Sequence, residues 1–149
     1  MRPLQLFEEY IAEGIIRRVK KDPQRAQSMI KQSERKINSL KETSDKIGIK
    51  KENANDYIEN CYDIIMYLIR AKLYLEGYSS SGQGAHEAEI SYLRKLGFSE
   101  KDVQFADQMR YFRNGILYYG TALDKEYAEL AIQFMHKTCS TLMKILKAA

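Results

Sequence analysis

The residues best suited to chemistry lie in one short segment, Gln108–Gly120 (QMRYFRNGILYYG), which sets arginines and an asparagine among aromatic residues. Guanidinium groups bind phosphates through paired hydrogen bonds, and tyrosine rings can stack on bases. The candidate binding residues in this segment are Arg110, Arg113, Asn114 and Tyr119. Gly115 lies inside the predicted helix, where glycine costs about 1 kcal/mol relative to alanine. Its presence indicates close packing of another helix or close approach of a ligand or partner.

Helical spacing decides which of these side chains can act together. At about 100° per residue, Arg110, Asn114 and Tyr118 share one helix face. Arg113 and Tyr118 are five residues apart, about 140° around an ideal helix. They converge only if the helix bends near Gly115 or if a second subunit supplies one of them.

The histidines of the chain, His86 and His136, offer the other acid–base groups. They lack the HExxH spacing of a zinc site, so no metal site is predicted. His136 is expected to be a partly exposed structural residue. His86 follows the glycine-rich loop predicted at 77–84 and is expected either to bond to that loop or to line a binding groove. The loop matches neither the P-loop nor the GxGxxG pattern, so it is not predicted to cradle phosphate.

Other kinds of site find little support. Cys61 and Cys139 lie within apolar helical patterns and are predicted to be buried, unreactive thiols. Two distant cysteines form neither a disulfide framework nor a zinc ribbon. Carboxylate pairs such as Glu87 and Glu89 are common on helix faces, and nothing predicts a glycosidase-type dyad. No cofactor is expected.

The charge of the chain is unevenly distributed. The net charge is +4, but residues 14–51 contain twelve Lys and Arg against four Asp and Glu, and the other segments contain twelve against sixteen. Such asymmetry is typical either of a solvated helix face or of a surface that faces nucleic acid.

Length and composition predict the class of protein. With 149 residues, of which 44% are apolar and 30% charged, the chain suits one soluble domain over residues 1–149. No uninterrupted apolar run reaches membrane-spanning length, and the first ten residues contain acids where a signal peptide needs apolar residues. A cytoplasmic protein that does not enter a membrane is expected.

The hydrophobic periodicity is helical along the whole chain. It predicts an all-α, antiparallel up-and-down bundle of four to six helices. The predicted helices cover about 4–20, 23–47, 53–76, 85–96, 99–119 and 124–146, with Asp22, Ser99 and Asp124 as N-terminal caps. The expected core seam of the fifth helix is Phe105, Met109, Phe112, Ile116 and Tyr119.

From about residue 23 onward, the sequence resembles the HEPN superfamily of small helical proteins. One part of the likeness is residues 74–98 (YLEGYSSSGQGAHEAEISYLRKLGF), in which a helix, a small-residue loop and a histidine-bearing short helix follow one another. The other is residues 113–120 (RNGILYYG), at the place where the family carries Arg, often Asn, and then His after four to six residues. The resemblance implies a homodimeric helical bundle. It also implies a metal-independent endoribonuclease, a nucleotide- or RNA-binding protein, or the partner of a minimal nucleotidyltransferase in a toxin–antitoxin pair.

This chain has Tyr118 where the family pattern expects histidine. A tyrosine with a pKa near 10 is a poorer general base at pH 7 than an imidazole with a pKa near 6.5. His86 or His136 could replace the missing histidine if the fold brought either one close. The candidate catalytic residues are therefore Arg113, Asn114 and Tyr118, with His86 as a further binding candidate.

Three functions remain open. The first is a dimeric module that binds RNA or a nucleotide through its arginines. The second is an endoribonuclease that uses Arg113, Asn114 and a replacement acid–base group. The third is an interaction subunit in which the arginines are structural and a nucleotidyltransferase is the partner.

Overall fold

The computed structural model describes residues 3–148, which form an all-α helical bundle and confirm the predicted fold class. Its elements in chain order are α1 (Phe7–Ala12), β1 (Ile16–Arg18), α2 (Pro23–Lys46), α3 (Ala54–Glu76), β2 (Tyr78–Ser80), α4 (Ala85–Ser91), a 3₁₀ turn (Tyr92–Arg94), α5 (Glu100–Tyr119) and α6 (Lys125–Ala148).

The third helix is the centre of the bundle. It packs along its length against α2 and α6, and it also contacts α5, α4 and β2. Side chains on most of its circumference are buried, among them Ile58, Ile64 and Leu68, none of which has any exposed surface. The broad apolar face in the sequence reflects this position, because a helix covered on several sides needs apolar residues on each of them.

The predicted N-terminal caps are confirmed. The Asp22 carboxylate accepts a hydrogen bond from the Arg25 amide at 3.0 Å, and the Ser99 hydroxyl oxygen accepts one from the Asp102 amide at 3.2 Å. Asp124 accepts one from the Tyr127 amide at 2.8 Å. These local bonds satisfy amides that have no partner within the first turn of a helix.

The prediction of one helix over 4–20 is wrong. The chain leaves the helix after Ala12, turns at Gly14 with a φ of 78°, and continues as β1. β1 pairs with β2 in an antiparallel ribbon that aligns Ile16 with Ser80 and Arg18 with Tyr78. The loop expected at 77–84 therefore contains a strand, and the periodicity is not helical throughout. A three-residue strand is too short to show alternation in the sequence.

The predicted core seam of α5 is also partly wrong. Met109 is fully buried, but Phe105, Phe112 and Ile116 are half-buried and Tyr119 is 85% exposed. The buried residues of α5 are Val103, Ala106, Asp107 and Met109, so only the first half of the helix lies deep in the bundle. Leu130 of α6 is also exposed.

Within residues 3–148, none of the helices combines the length and the apolar character that crossing a bilayer requires.

Candidate functional site

A polar cluster lies where α3, α4 and α5 meet. Tyr62 of α3 is at its centre: its hydroxyl oxygen lies 3.2 Å from Nδ1 of His86 on α4. The guanidinium carbon of Arg113 on α5 lies 5.3 Å from the centre of the Tyr62 ring, within the range of a cation–π contact. We call Tyr62, His86 and Arg113 the Tyr62 cluster. It unites two candidates from separate parts of the sequence, His86 and Arg113, through a third residue.

Arg113 forms an ion pair, but not all of its hydrogen-bond donors have an acceptor within residues 3–148. One of its terminal nitrogens lies 3.3 Å from a carboxylate oxygen of Asp63, and its side chain is 22% exposed. Its Nε is buried and has no hydrogen-bond partner among residues 3–148. A buried donor without a partner costs about 1–3 kcal/mol. A donor of this kind on a partly exposed arginine side chain is suited to an acceptor such as a phosphate oxygen.

A buried ion pair fixes the short helix α4 that carries His86. Glu89 of α4 accepts hydrogen bonds from Arg70 of α3, at 2.7 Å from Nε and 3.2 Å from the terminal nitrogen. The Glu89 side chain is only 4% exposed. Because the contact is bidentate, it sets both the position and the rotation of α4 against α3.

The protonation states follow from burial and from the neighbouring charges. Burial lowers the pKa of His86 below its ordinary value. Glu89 raises this pKa, whereas Arg70, Arg113 and Arg110 lower it. Burial raises the pKa of Tyr62 well above its ordinary value, and Glu89 adds to this effect. At pH 7 the imidazole is therefore neutral and the phenol is protonated. One donates the hydrogen bond between them and the other accepts it.

Arg110 has a different environment from Arg113. Its Nε donates to Asp107 at 2.7 Å, and a terminal nitrogen lies 3.6 Å from Glu87. It lies at the edge of a cavity of about 470 Å³ that Glu13, Glu87 and Asp107 also line. With these carboxylates around it, Arg110 is better suited to tying α5 to α4 than to binding an anion.

The remaining candidates make no side-chain hydrogen bond to the Tyr62 cluster within residues 3–148. Tyr118 and Tyr119 are 75% and 85% exposed at the end of α5, which continues as a helix through Gly115 without a break. Asn114 is half-buried, and its side chain makes no hydrogen bond within residues 3–148. His136 is exposed on α6 and takes no part in the site. Cys61 and Cys139 are buried as predicted, and burial raises the pKa of the Cys139 thiol to about 12.

Gly115 has a local explanation. A Cβ at this position would lie 3.2 Å from the Thr121 hydroxyl, because the chain folds back over the end of α5. The Thr121 amide donates to the Gly115 carbonyl at 3.2 Å. Asn55 of α3 then holds the turn, bonding to the carbonyl of Thr121 and the amide of Leu123, both at 2.9 Å. The glycine thus accommodates the turn after α5, which is neither of the two contacts expected from the sequence.

Sequence reasoning missed Tyr62 and Asp63. Both lie on α3, and Tyr62 reads in the sequence as one more member of that helix's apolar face. Its adjacent acidic residue was the available signal, because a charged residue beside a buried phenol marks the place where the face reaches solvent. The ion pair between Arg70 and Glu89 spans 19 positions, and no local spacing predicts it.

The cluster combines groups that can handle a phosphodiester. It contains a neutral imidazole, a protonated phenol that orients that imidazole, and a guanidinium with a free donor. Within the described part of the chain, no group of three His, Cys, Asp or Glu side chains is arranged to hold a metal ion. The imidazole, the phenol and the guanidinium are suited to acid–base and charge-stabilising chemistry by side chains.

Comparisons of this chain with protein-family models, with curated proteins and with solved structures find no match. The likeness to the HEPN superfamily consequently depends on residues 74–98 and 113–120 alone.

Proposed function

We propose that this protein is a HEPN-like RNA-binding protein in which Arg113 of the Tyr62 cluster contacts the sugar–phosphate backbone. The observation that carries the proposal is the buried Nε of Arg113, which has no partner among residues 3–148, on a side chain that is 22% exposed. A phosphate oxygen supplies an acceptor when the Arg113 side chain moves outward and exposes this buried Nε. Asp63, which is 31% exposed, can yield one guanidinium nitrogen to the same phosphate because water then solvates its carboxylate.

The protein is expected to lose RNA affinity when Arg113 is replaced by glutamine. Loss of a charge-assisted contact of about 1.5–3 kcal/mol corresponds to a roughly 10- to 100-fold rise in Kd. Fluorescence anisotropy with a labelled single-stranded RNA, in EDTA and at fixed salt, measures this change. Arg113→Lys keeps the charge but loses the bidentate geometry of the guanidinium. Its Kd should therefore lie between those of the wild type and Arg113→Gln.

The matched control for this experiment is Lys144→Gln. Lys144 is an exposed cation on α6 without an ion-pair partner in the described residues, so its loss removes the same net charge. Equal affinities of the Arg113→Gln and Lys144→Gln proteins, with both folded by circular dichroism, would rule out Arg113 as a backbone contact.

A second candidate function is metal-independent RNA cleavage, which the position of His86 specifically favours. Tyr62 engages Nδ1, which leaves Nε2 for the substrate. With Nδ1–H donating to the phenol oxygen, Nε2 has the lone pair that a general base needs. Nε2 then takes the 2′-hydroxyl proton, O2′ attacks phosphorus to form a 2′,3′-cyclic phosphate, the P–O5′ bond breaks, and the leaving O5′ takes a proton from water. Arg113 stabilises the negative charge on the phosphoryl oxygens.

If the protein cleaves RNA, His86→Gln is expected to slow cleavage about 10²–10⁴-fold, the usual effect of losing a general base. The acidic limb of the pH–rate profile should lie below the ordinary histidine value of about 6.5, because burial lowers the pKa of His86. Single-turnover cleavage in EDTA, followed on a gel, measures both. His136→Gln is the control, since His136 is exposed on α6. A wild type that cleaves no faster than His86→Gln would leave binding as the function.

The homodimer that the resemblance implies belongs to this proposal. Its support is the end of α5, where Leu117, Tyr118 and Tyr119 expose half or more of their surface. Such a group of exposed apolar residues is typical of an interaction surface. A second subunit, or a nucleotidyltransferase partner, would cover it there.

A further inference from the structure

The most strongly charged surface of the molecule lies outside the Tyr62 cluster. Every lysine and arginine from Arg17 to Lys41 lies without a carboxylate partner within 4 Å in residues 3–148. From Lys46 onward, by contrast, nine of fourteen form an ion pair. We call the first group the basic surface; its members are Arg17, Arg18, Lys20, Lys21, Arg25, Lys31, Arg35, Lys36 and Lys41. All except the half-buried Lys36 are exposed.

The fold places seven of these nine cations on β1 or α2, and Lys20 and Lys21 lie in the linker between the two elements. In β1, Ile16 points into the core while Arg17 and Arg18 are exposed. The Arg18 guanidinium lies 4.8 Å from the centre of the Tyr78 ring, and that of Arg25 lies 4.7 Å from the Tyr74 ring. Stacking of this kind limits the freedom of a guanidinium and leaves its N–H groups available to an anion. Arg18 of the ribbon and Arg25 of α2 are therefore the two ordered cations of the basic surface.

A small depression lies between the basic surface and the helix that carries His86. Tyr74, which contacts Arg25, lines this depression together with Arg70, Ser79, Ser80 and Glu89. Arg70 and Glu89 form the ion pair that holds the His86 helix. The depression thus lies between Tyr74, which contacts Arg25 of α2, and the ion pair that holds the His86 helix.

We propose that the basic surface is a track for the RNA backbone, so that a strand held at Arg113 continues over the β1–β2 ribbon and along α2. The choice of RNA rests on the proposed function, whereas the anionic, repeating character of the ligand follows from the cations themselves. A polyanion that places one charge per residue is the ligand that such an array fits best. A bilayer fits less well, because the apolar side of α2 packs on α3 through Ala26 and Leu40 and has little left to insert.

The test is the salt dependence of binding to a labelled 20-nucleotide uridine RNA in EDTA. The surface variant is Arg17→Gln/Lys20→Gln/Lys31→Gln, three exposed cations that make no side-chain hydrogen bond in the described residues. The control variant is Lys101→Gln/Lys144→Gln/Lys147→Gln, which removes the same charge from α5 and α6. For single strands each lost phosphate contact changes the slope of log K against log salt by about 0.7. The slope for the surface variant should therefore be shallower than the wild-type slope by about 2. The slope for the control variant should differ from the wild-type slope by less than about 0.5.

Several results would overturn the track. The first is an equal slope for the surface variant and the wild type. The second is an equal decrease in slope for the surface and control variants. The third is binding of the wild type to phosphatidylserine vesicles without binding to RNA. Arg113→Gln in the same assay separates the two proposals. Lower affinity in Arg113→Gln with an unchanged slope in the surface variant would leave only the Arg113 contact. The reverse pattern would leave only the track, and a wild type that binds no RNA would contradict both.

Discussion

Replacing Glu89 by alanine is expected to lower the free energy of unfolding by about 3–5 kcal/mol. The Glu89 carboxylate is nearly fully buried and receives two hydrogen bonds from Arg70, whose side chain is 26% exposed. Removal of the Glu89 carboxylate leaves the largely buried Arg70 guanidinium without its ion-pair partner. Urea denaturation followed by circular dichroism measures the change, and the His86 helix should loosen with it.

Two controls show that burial, rather than ion pairing in general, causes this effect. Glu42→Ala breaks the exposed pair between Glu42 and Lys46 and should cost less than about 0.5 kcal/mol. The double variant Arg70→Met/Glu89→Leu removes both charges and should recover most of the stability, since apolar replacement of a buried pair is often close to neutral. A cost for Glu89→Ala as small as that for Glu42→Ala would mean that Arg70 and Glu89 do not hold α4.

Gly77→Ala is expected to cost at least about 2 kcal/mol. Gly77 ends α3 with a φ of 82°, where a side chain costs roughly 1–2 kcal/mol. A Cβ there would also lie 2.9 Å from the carbonyl oxygen of Val19, a backbone atom that moves only with β1. The Val19 amide also donates to the Gly77 carbonyl at 2.8 Å. The substitution should therefore displace the β1–β2 ribbon as well as strain the end of the helix.

The control for this prediction is Gly97→Ala. Gly97 has a φ of 90°, but a Cβ added there meets nothing within 4 Å, so it tests the backbone strain alone. Gly77→Ala should be the more destabilising of the two in thermal melts. If the two melt together, the close approach of β1 to Gly77 does not contribute to stability.

The sequence predicts the long elements well because their signals are local. Asp22, Ser99 and Asp124 mark helix starts through bonds to an amide three residues away, and Gly77 marks a helix end through its positive φ. The broad apolar face of α3 likewise requires only the residues of α3. Each of these signals is contained within one or two turns of chain.

The ribbon could not be predicted in the same way. Its strands have three residues each and pair across about sixty positions, as between Ile16 and Ser80. The apolar residues of 4–19 also happen to repeat at helical spacing, although the positive φ of Gly14 ends the helix. In this segment, pairing with β2 outweighs the local periodicity.

The sequence indicates two of the three residues of the Tyr62 cluster. Arg113 is recognisable in the sequence because it lies among aromatic residues. His86 is recognisable because it follows a glycine-rich loop. Their partner Tyr62 is not recognisable, since only the packing of α4 and α5 on α3 distinguishes it from a core tyrosine. The exposure of Tyr118 depends on how far α5 extends beyond the core, which periodicity does not report.

The most direct test of the central claim is the ¹⁵N NMR signal of the Arg113 Nε–H group, recorded with and without a short uridine RNA in EDTA. We expect this signal to shift on saturation with RNA, because its proton then acquires a phosphate acceptor, whereas no acceptor among residues 3–148 bonds to it. Arg94 is the internal reference, since its Nε already donates to Glu100 at 2.8 Å. RNA that binds the protein while the Arg113 signal moves no more than that of Arg94 would contradict the assignment of Arg113 to the RNA backbone.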